Sequence, residues 1–203
     1  MNLPNKLTVL RICLVPVFIV IMMLPDSVMP ELWSGIVGVT LFIIASLTDM
    51  LDGKIARKYG LVTDFGKLMD PLADKFMVIG ALTVIVYRYE SIRAFFIWAL
   101  LIVVFRELAV TSLRLVAASS AEGVVVPANM LGKIKTVTQI VCICSVVIEP
   151  MLYSIPVLAD VLPELMTKYP PITYLSGALM IVFTIWSGIN YFVVMWKYLD
   201  PQK

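Results

Sequence analysis

Four aspartates stand at helical spacings between two apolar segments of this chain. They lie in the stretch D-M-L-D-G-K-I-A-R-K-Y-G-L-V-T-D-F-G-K-L-M-D-P-L-A-D, which runs from Asp49 to Asp74. Asp49, Asp52, Gly53 and Ala56 fall at i, i+3, i+4 and i+7, on one helix face within an arc of about 100°. Asp70 and Asp74, at i and i+4, also share a face. If the two helices pack side by side, the four carboxylates converge. Two ionised carboxylates about 5–6 Å apart repel by roughly 3 kcal/mol at an effective dielectric of ~20. Such a group must take up protons or bind a cation. All-oxygen ligation favours Mg²⁺ or Mn²⁺, with Ca²⁺ also open, and four carboxylates are enough for two ions.

The neighbours of the acids extend the chemistry. Gly53 and Gly66 carry no side chain and Ala56 only a methyl, so a bulky ligand group can approach the backbone. Arg57 can grip a phosphate through two nitrogens. Cation, arginine and small residues together describe a site for a nucleotide diphosphate. Taken singly, each acid also reads as a solvated helix-end residue and each glycine as a helix cap. It is the whole set that points to a site. Asp64 lies outside the pattern and is read as a solvated residue.

These residues must be positioned by a very apolar chain. Of 203 residues, 61% are hydrophobic and 15% charged, and the mean hydropathy is +0.97. A soluble domain carries nearer ~25% charged residues. Windows of about twenty nearly uncharged residues predict membrane-spanning helices. The expected fold is all-α: a single membrane domain over residues 1–203, with six transmembrane helices and a short N-terminal interfacial segment. That segment is Met1 to Thr8. The spans are expected at Leu7–Leu24, Leu32–Leu51, from Asp70 or Pro71 to Tyr87, from Phe95 to Ala118, Gly132–Ile148 and Ile172–Trp196. Pro16 should kink the first. Ser119–Met130 reads as a loop, Met151–Pro171 as an irregular segment and Lys197–Lys203 as a tail. A cleavable signal peptide is not expected, because Pro25 follows the first apolar run directly.

Six spans place both termini on one side of the membrane. With that side cytoplasmic, 13 of the 16 lysines and arginines lie inside and only Arg88, Arg93 and Lys168 outside. The acids then face the cytoplasm from a cell-membrane protein. There is no histidine, which excludes histidine catalysis and histidine metal sites. Cys13, Cys142 and Cys144 lie in apolar runs and read as buried thiols; Cys142 and Cys144 lack the spacing of a redox or zinc pair.

The pattern D-x2-D-G-x2-A-R-x8-G-x3-D-x3-D, here Asp49, Asp52, Gly53, Ala56, Arg57, Gly66, Asp70 and Asp74, resembles the signature of the CDP-alcohol phosphotransferases. Every fixed position is present, and the expected six-helix architecture is similar over nearly the whole chain. The resemblance implies transfer of a phosphatidyl-type group from a CDP-linked donor to an alcohol, with release of CMP. It implies that Asp49, Asp52 and Asp70 ligate two divalent ions, Mg²⁺ or Mn²⁺, with Asp74 completing the cluster and acting as general base. It implies that Gly53, Ala56, Arg57 and Gly66 cradle the cytidine diphosphate. Asn5, Thr8 and Arg11 either close the nucleotide side or serve as an interfacial lead-in.

Within the family, three stretches resemble the phosphatidylglycerophosphate synthases: N-L-P-N-K-L-T-V-L-R-I-C-L-V-P near the N-terminus, R-E-L-A-V-T-S-L-R-L from Arg106 to Leu115, and G-K-I-K-T from Gly132 to Thr136. They imply CDP-diacylglycerol as donor and glycerol 3-phosphate, an anion, as acceptor. Arg114, Lys133 and Lys135 are then candidates for its phosphate, with Arg106 paired to Glu107 or reaching the site. The plainer reading of these cations is positive-inside anchoring. Other acceptors in the family are phosphatidylglycerol (giving cardiolipin), inositol phosphate and serine. A reading from another class is a cation transporter with the acids along its path. Membrane lipid and, by the resemblance, a second copy of the chain are expected partners; nucleic acid is not.

Overall fold

The computed structural model describes residues 2–61, 63–119, 130–155 and 164–196. Among them there is no strand. The described residues form six long helices and one short one: α1 (Leu3–Met23), α2 (Glu31–Tyr59), α3 (Asp64–Arg88), α4 (Arg93–Ser119), α5 (Met130–Tyr153), the short α6 (Glu164–Lys168) and α7 (Pro171–Met195). A 3₁₀ turn, Glu90–Ile92, links α3 to α4.

Local signals explain the helix ends. The Asn2 side chain caps α1 by accepting from the Asn5 N–H at 3.1 Å, and Pro4 sits where a missing N–H costs nothing. Gly60 ends α2 with a φ of +64°, a conformation that glycine adopts without strain. Thr63 caps α3, its hydroxyl accepting from the Gly66 N–H at 3.1 Å. Pro171 opens α7.

Several boundaries differ from the sequence reading. The expected lead-in is already helical from Leu3, because Asn2 supplies a cap. Helix α1 continues through Pro16. Helix α2 runs on through the acidic residues to Gly60. Helix α3 begins at Asp64 rather than near Asp70, because Thr63 provides the N-cap. Helix α5 passes Pro150 and ends at Tyr153. Much of the Ser119–Met130 loop, part of the Met151–Pro171 segment and the Lys197–Lys203 tail lie outside the described residues.

Among the described residues, five helices are long and apolar enough to cross a membrane: Leu3–Met23, Glu31–Ala56, Glu90–Ala117, Met130–Tyr153 and Pro171–Met195. The chain is therefore a multi-pass membrane protein by length and composition. Helix α3 is not among the five, although its 25 residues are about 38 Å long. Its first half carries Asp64, Lys67, Asp70, Asp74 and Lys75. Its second half is the centre of the bundle, with Met77, Val78, Ala81, Leu82, Val84 and Ile85 all buried. They pack with Val15, Phe18 and Met22 of α1, Phe42 and Ala45 of α2, Phe96, Ala99 and Val103 of α4, and Cys142, Ile143, Val146 and Val147 of α5.

The packing order matters for the site. Helix α1 lies against both α2 and α3, whereas α2 and α3 touch each other only sparsely. Helix α5 packs on α2 and α7, and α7 on α4. Small residues permit the close approaches. A Cβ on Gly38 of α2 would collide with the Met22 sulfur of α1, and one on Gly177 of α7 would stand 2.7 Å from the Phe95 ring of α4.

Polar anchors close the end of the bundle away from the acids. The Arg88 guanidinium donates to the carbonyls of Met22 (2.9 Å) and Leu24 (3.3 Å), closing the C-terminus of α1, and to Asp26 and Ser34, each at 3.0 Å. Buried Glu149 of α5 accepts from the N–H groups of Ile172 (3.1 Å) and Thr173 (2.6 Å), capping α7, and from the Tyr153 hydroxyl at 2.7 Å.

Candidate functional site

The last turns of α2 and the first turns of α3 carry the acids, as their spacing requires. What brings them together is α1, wedged between the two helices. The Arg11 side chain is 0% exposed, with Nη1 2.7 Å from Asp49 Oδ1 and Nη2 donating to Asp52 Oδ2. One turn earlier, the Thr8 hydroxyl donates to Asp70 Oδ1 at 2.7 Å and lies 3.5 Å from Asp52 Oδ2. Thus α1 ties Asp49 and Asp52 of α2 to Asp70 of α3. Asp74 stands apart from this net: its Oδ1 is buried and has no hydrogen-bond partner among the described residues.

Among the described residues, no three acidic side chains form a ready-made metal site. The cation among them is Arg11. The donor set nevertheless suits a hard divalent ion: four carboxylates, one with a buried oxygen lacking any partner.

Two cavities adjoin the acids, and Asp70 lines both. The smaller, about 180 Å³, is bounded by Gly53, Ala56 and Gly66, with Pro4 and Asn5 of α1, Leu61, Thr63 and Lys67. Here the small residues of the motif leave the space that their types predict. A Cβ on Gly66 would lie 3.2 Å from Asn5 Oδ1 and 3.7 Å from Asp70 Oδ2. Asn5 Oδ1 accepts from the Thr63 hydroxyl at 3.0 Å, and Asn2 donates to the Leu61 carbonyl at 2.8 Å. The N-terminus of α1 is therefore fastened to the α2–α3 connection as one wall of this cavity. The Arg57 backbone belongs to α2; its side chain lies outside the described residues. Asp64 is solvent-exposed and pairs with Lys67 at 3.0 Å.

The larger cavity, about 690 Å³, is lined by Asp49, Asp70 and Asp74 together with Lys75, Arg106, Arg114, Lys133 and Lys135. Every cation that the sequence reading proposed for the acceptor lines this space, in differing states. Buried Lys135 donates to Glu107 Oε1, which also accepts from Arg106 Nη1 at 3.1 Å. Arg106 is further held by the Ser187 hydroxyl at 2.7 Å. Arg114 donates to the Tyr191 hydroxyl at 2.6 Å. Lys133 is exposed on the cavity wall.

Several lining residues carried no signal in the sequence. Lys75 donates to the Thr111 hydroxyl at 2.6 Å, and only its place beside Asp74 marked it. Tyr191 reaches Arg114 across 77 residues. Thr63 had a readable signal, an N-cap residue three before Gly66.

The arrangement can hold an anionic, phosphorylated molecule on each side of a row of carboxylates. Comparison with known proteins points the same way. The family model described as CDP-alcohol phosphatidyltransferase matches residues 1–196. A Bacillus subtilis (strain 168) protein is 42% identical, covering 100% of this chain and 99% of its own length. A Rickettsia typhi protein is 41% identical over 68% of this chain and 71% of its own. A Salmonella typhimurium protein is 30% identical over 94% of this chain and 92% of its own. Each of the three is named CDP-diacylglycerol–glycerol-3-phosphate 3-phosphatidyltransferase.

Proposed function

Because the chain belongs to the CDP-alcohol phosphatidyltransferase family, we propose that it transfers the phosphatidyl group of CDP-diacylglycerol to glycerol 3-phosphate, giving phosphatidylglycerophosphate and CMP. The observation that carries this reading is the meeting of two cavities at Asp70: one small and lined by glycine and alanine, the other lined by five cations. The first suits the cytidine diphosphate, where side chains would obstruct a flat base. The second suits the phosphate of an anionic acceptor.

Asp74 is the general base. It lines the acceptor cavity with a buried oxygen that has no hydrogen-bond partner among the described residues. It takes the proton of the acceptor's 1-hydroxyl. The alkoxide oxygen then forms a bond to the β-phosphorus of the donor, the one bearing the lipid. The bond from that phosphorus to the bridging oxygen breaks, and CMP leaves with the electron pair. Asp49, Asp52, Asp70 and Asp74 would hold two divalent ions, Mg²⁺ or Mn²⁺, which when bound neutralise the diphosphate and the departing charge. Lys75, Arg114 and Lys133 orient the acceptor phosphate. Glu107 holds Arg106 and Lys135 in place, so these two shape the cavity and add field rather than a free charge.

Helix α3 is proposed as the sixth span, shielded by its neighbours so that its charged half meets the cytoplasm. The acids, both termini and the two cavities then lie on the cytoplasmic side, with residues 2–8 at the interface. The diacyl tails stay in the bilayer. A homodimer through membrane helices follows from the family resemblance.

The test uses purified protein in detergent with CDP-diacylglycerol, glycerol 3-phosphate and Mg²⁺ or Mn²⁺. The expected products are phosphatidylglycerophosphate and CMP; their absence overturns the assignment. A panel of phosphatidylglycerol, inositol phosphate and serine, read by CMP release, separates the acceptors.

A further inference from the structure

The carboxylates already hold a cation, and it belongs to the protein. Arg11 is completely buried, with Nη1 2.7 Å from Asp49 Oδ1 as an ion pair and Nη2 donating to Asp52 Oδ2, while neither Nε nor Nη1 finds a hydrogen-bond partner among the described residues. Divalent ions bind carboxylate oxygens at about 2.0–2.6 Å. An ion on Asp49 and Asp52 at such distances competes with the guanidinium for the same oxygens. The two positive charges would also stand close enough to repel strongly.

A guanidinium displaced in these surroundings cannot remain unpaired. The other nearby carboxylates, Asp70 and Asp74, are those that the ions also claim. The remaining anion is the one that arrives: the diphosphate of the donor, for which arginine offers two parallel hydrogen bonds. Arg11 is well placed for the exchange. It shares one face of α1 with Thr8, which holds Asp70, and the same helix supplies Pro4 and Asn5 to the small cavity.

On the two-ion reading above, we propose that Arg11 is a positioning residue. It neutralises Asp49 and Asp52 while the donor is absent, and passes from them to the nucleotide diphosphate when the ions take the carboxylates. Metal and donor binding are then coupled through one side chain, and by linkage each strengthens the other. The consequence is functional order: the acids are not left as a standing metal trap, and ions are held firmly only when there is a diphosphate to act on.

The test is Mn²⁺ binding to the purified full-length protein. It is read by the electron paramagnetic resonance of free Mn²⁺, with and without cytidine 5′-diphosphate, and with a protein-free control for metal–nucleotide complexes. In the wild type, the nucleotide should tighten Mn²⁺ binding by about tenfold or more. Arg11→Gln should bind Mn²⁺ about tenfold more tightly than wild type without nucleotide, and lose most of the tightening. Arg11→Lys keeps the charge and should retain the weak nucleotide-free binding. Equal or weaker nucleotide-free binding in Arg11→Gln overturns the proposal. If Arg11→Gln does not fold, the wild type decides alone: Mn²⁺ affinity indifferent to the nucleotide overturns it. Wild type that binds no Mn²⁺ under either condition removes the two-ion reading and this inference with it.

Discussion

Asp74 and the cations lining the same cavity divide the chemistry of single residues. Asp74→Asn keeps the shape and removes the proposed base. Turnover should fall by roughly 10²–10⁴-fold, while binding of the cytidine donor is largely kept. CMP release and donor binding measured on one preparation check this; retained turnover takes Asp74 out of the base role. Lys133 and Lys135 should respond differently, because one is exposed and the other is buried against Glu107. Lys133→Ala should raise KM for glycerol 3-phosphate and leave the melting temperature nearly unchanged. Lys135→Ala takes one of two cations from the buried Glu107 carboxylate, leaving Arg106, and should cost about 1–3 kcal/mol of stability, read by thermal unfolding in detergent. Combining Lys135→Met with Glu107→Gln should recover part of that loss. Sequence reasoning named both lysines as one kind of residue; burial separates them.

At the scale of elements, α1 is the part whose role is largest relative to its sequence signal. Its polar residues, Asn2, Asn5, Thr8 and Arg11, read equally as an interfacial lead-in. In the structure they bind Leu61, Thr63, Asp70, Asp49 and Asp52, so α1 holds the acid-bearing ends of α2 and α3 together. The opposite end of the bundle depends on one carboxylate. Glu149→Ala leaves two N–H groups of α7 and the Tyr153 hydroxyl without their partner. It should destabilise the protein by about 1–3 kcal/mol and leave the KM of the remaining folded enzyme unchanged. A specific rise in KM with no loss of stability contradicts a purely capping role.

For the whole molecule, the testable matter is orientation. The Asn2–Leu61 hydrogen bond puts the α2–α3 connection at the start of α1, and the Arg88–Asp26 pair lies beyond its end. Positions 26 and 64 therefore lie at opposite ends of a helix long enough to cross the bilayer. In a background with Cys13, Cys142 and Cys144 replaced, Asp26→Cys should react with an impermeant maleimide on intact cells. Asp64→Cys should react only after permeabilisation. The reverse pattern inverts the topology.

The reaction class of this protein was legible in the sequence because its signals are local. Carboxylates at i, i+3 and i, i+4 and the glycines beside them act through helix periodicity, which is countable along the chain. The all-helical class and most helix cores followed in the same way; Thr63 and Gly60, the cap residues that moved the boundaries, were readable but not read. The tertiary structure alone placed Arg11 between Asp49 and Asp52, brought two cavities to Asp70, and set Lys75, Thr111 and Tyr191 around the larger of them. These contacts link residues some forty to eighty positions apart. They depend on which helices pack together, and here α2 and α3 meet their acids through α1 rather than through each other. Periodicity fixes the face that a residue occupies; which side chain stands opposite is settled only when the helices assemble.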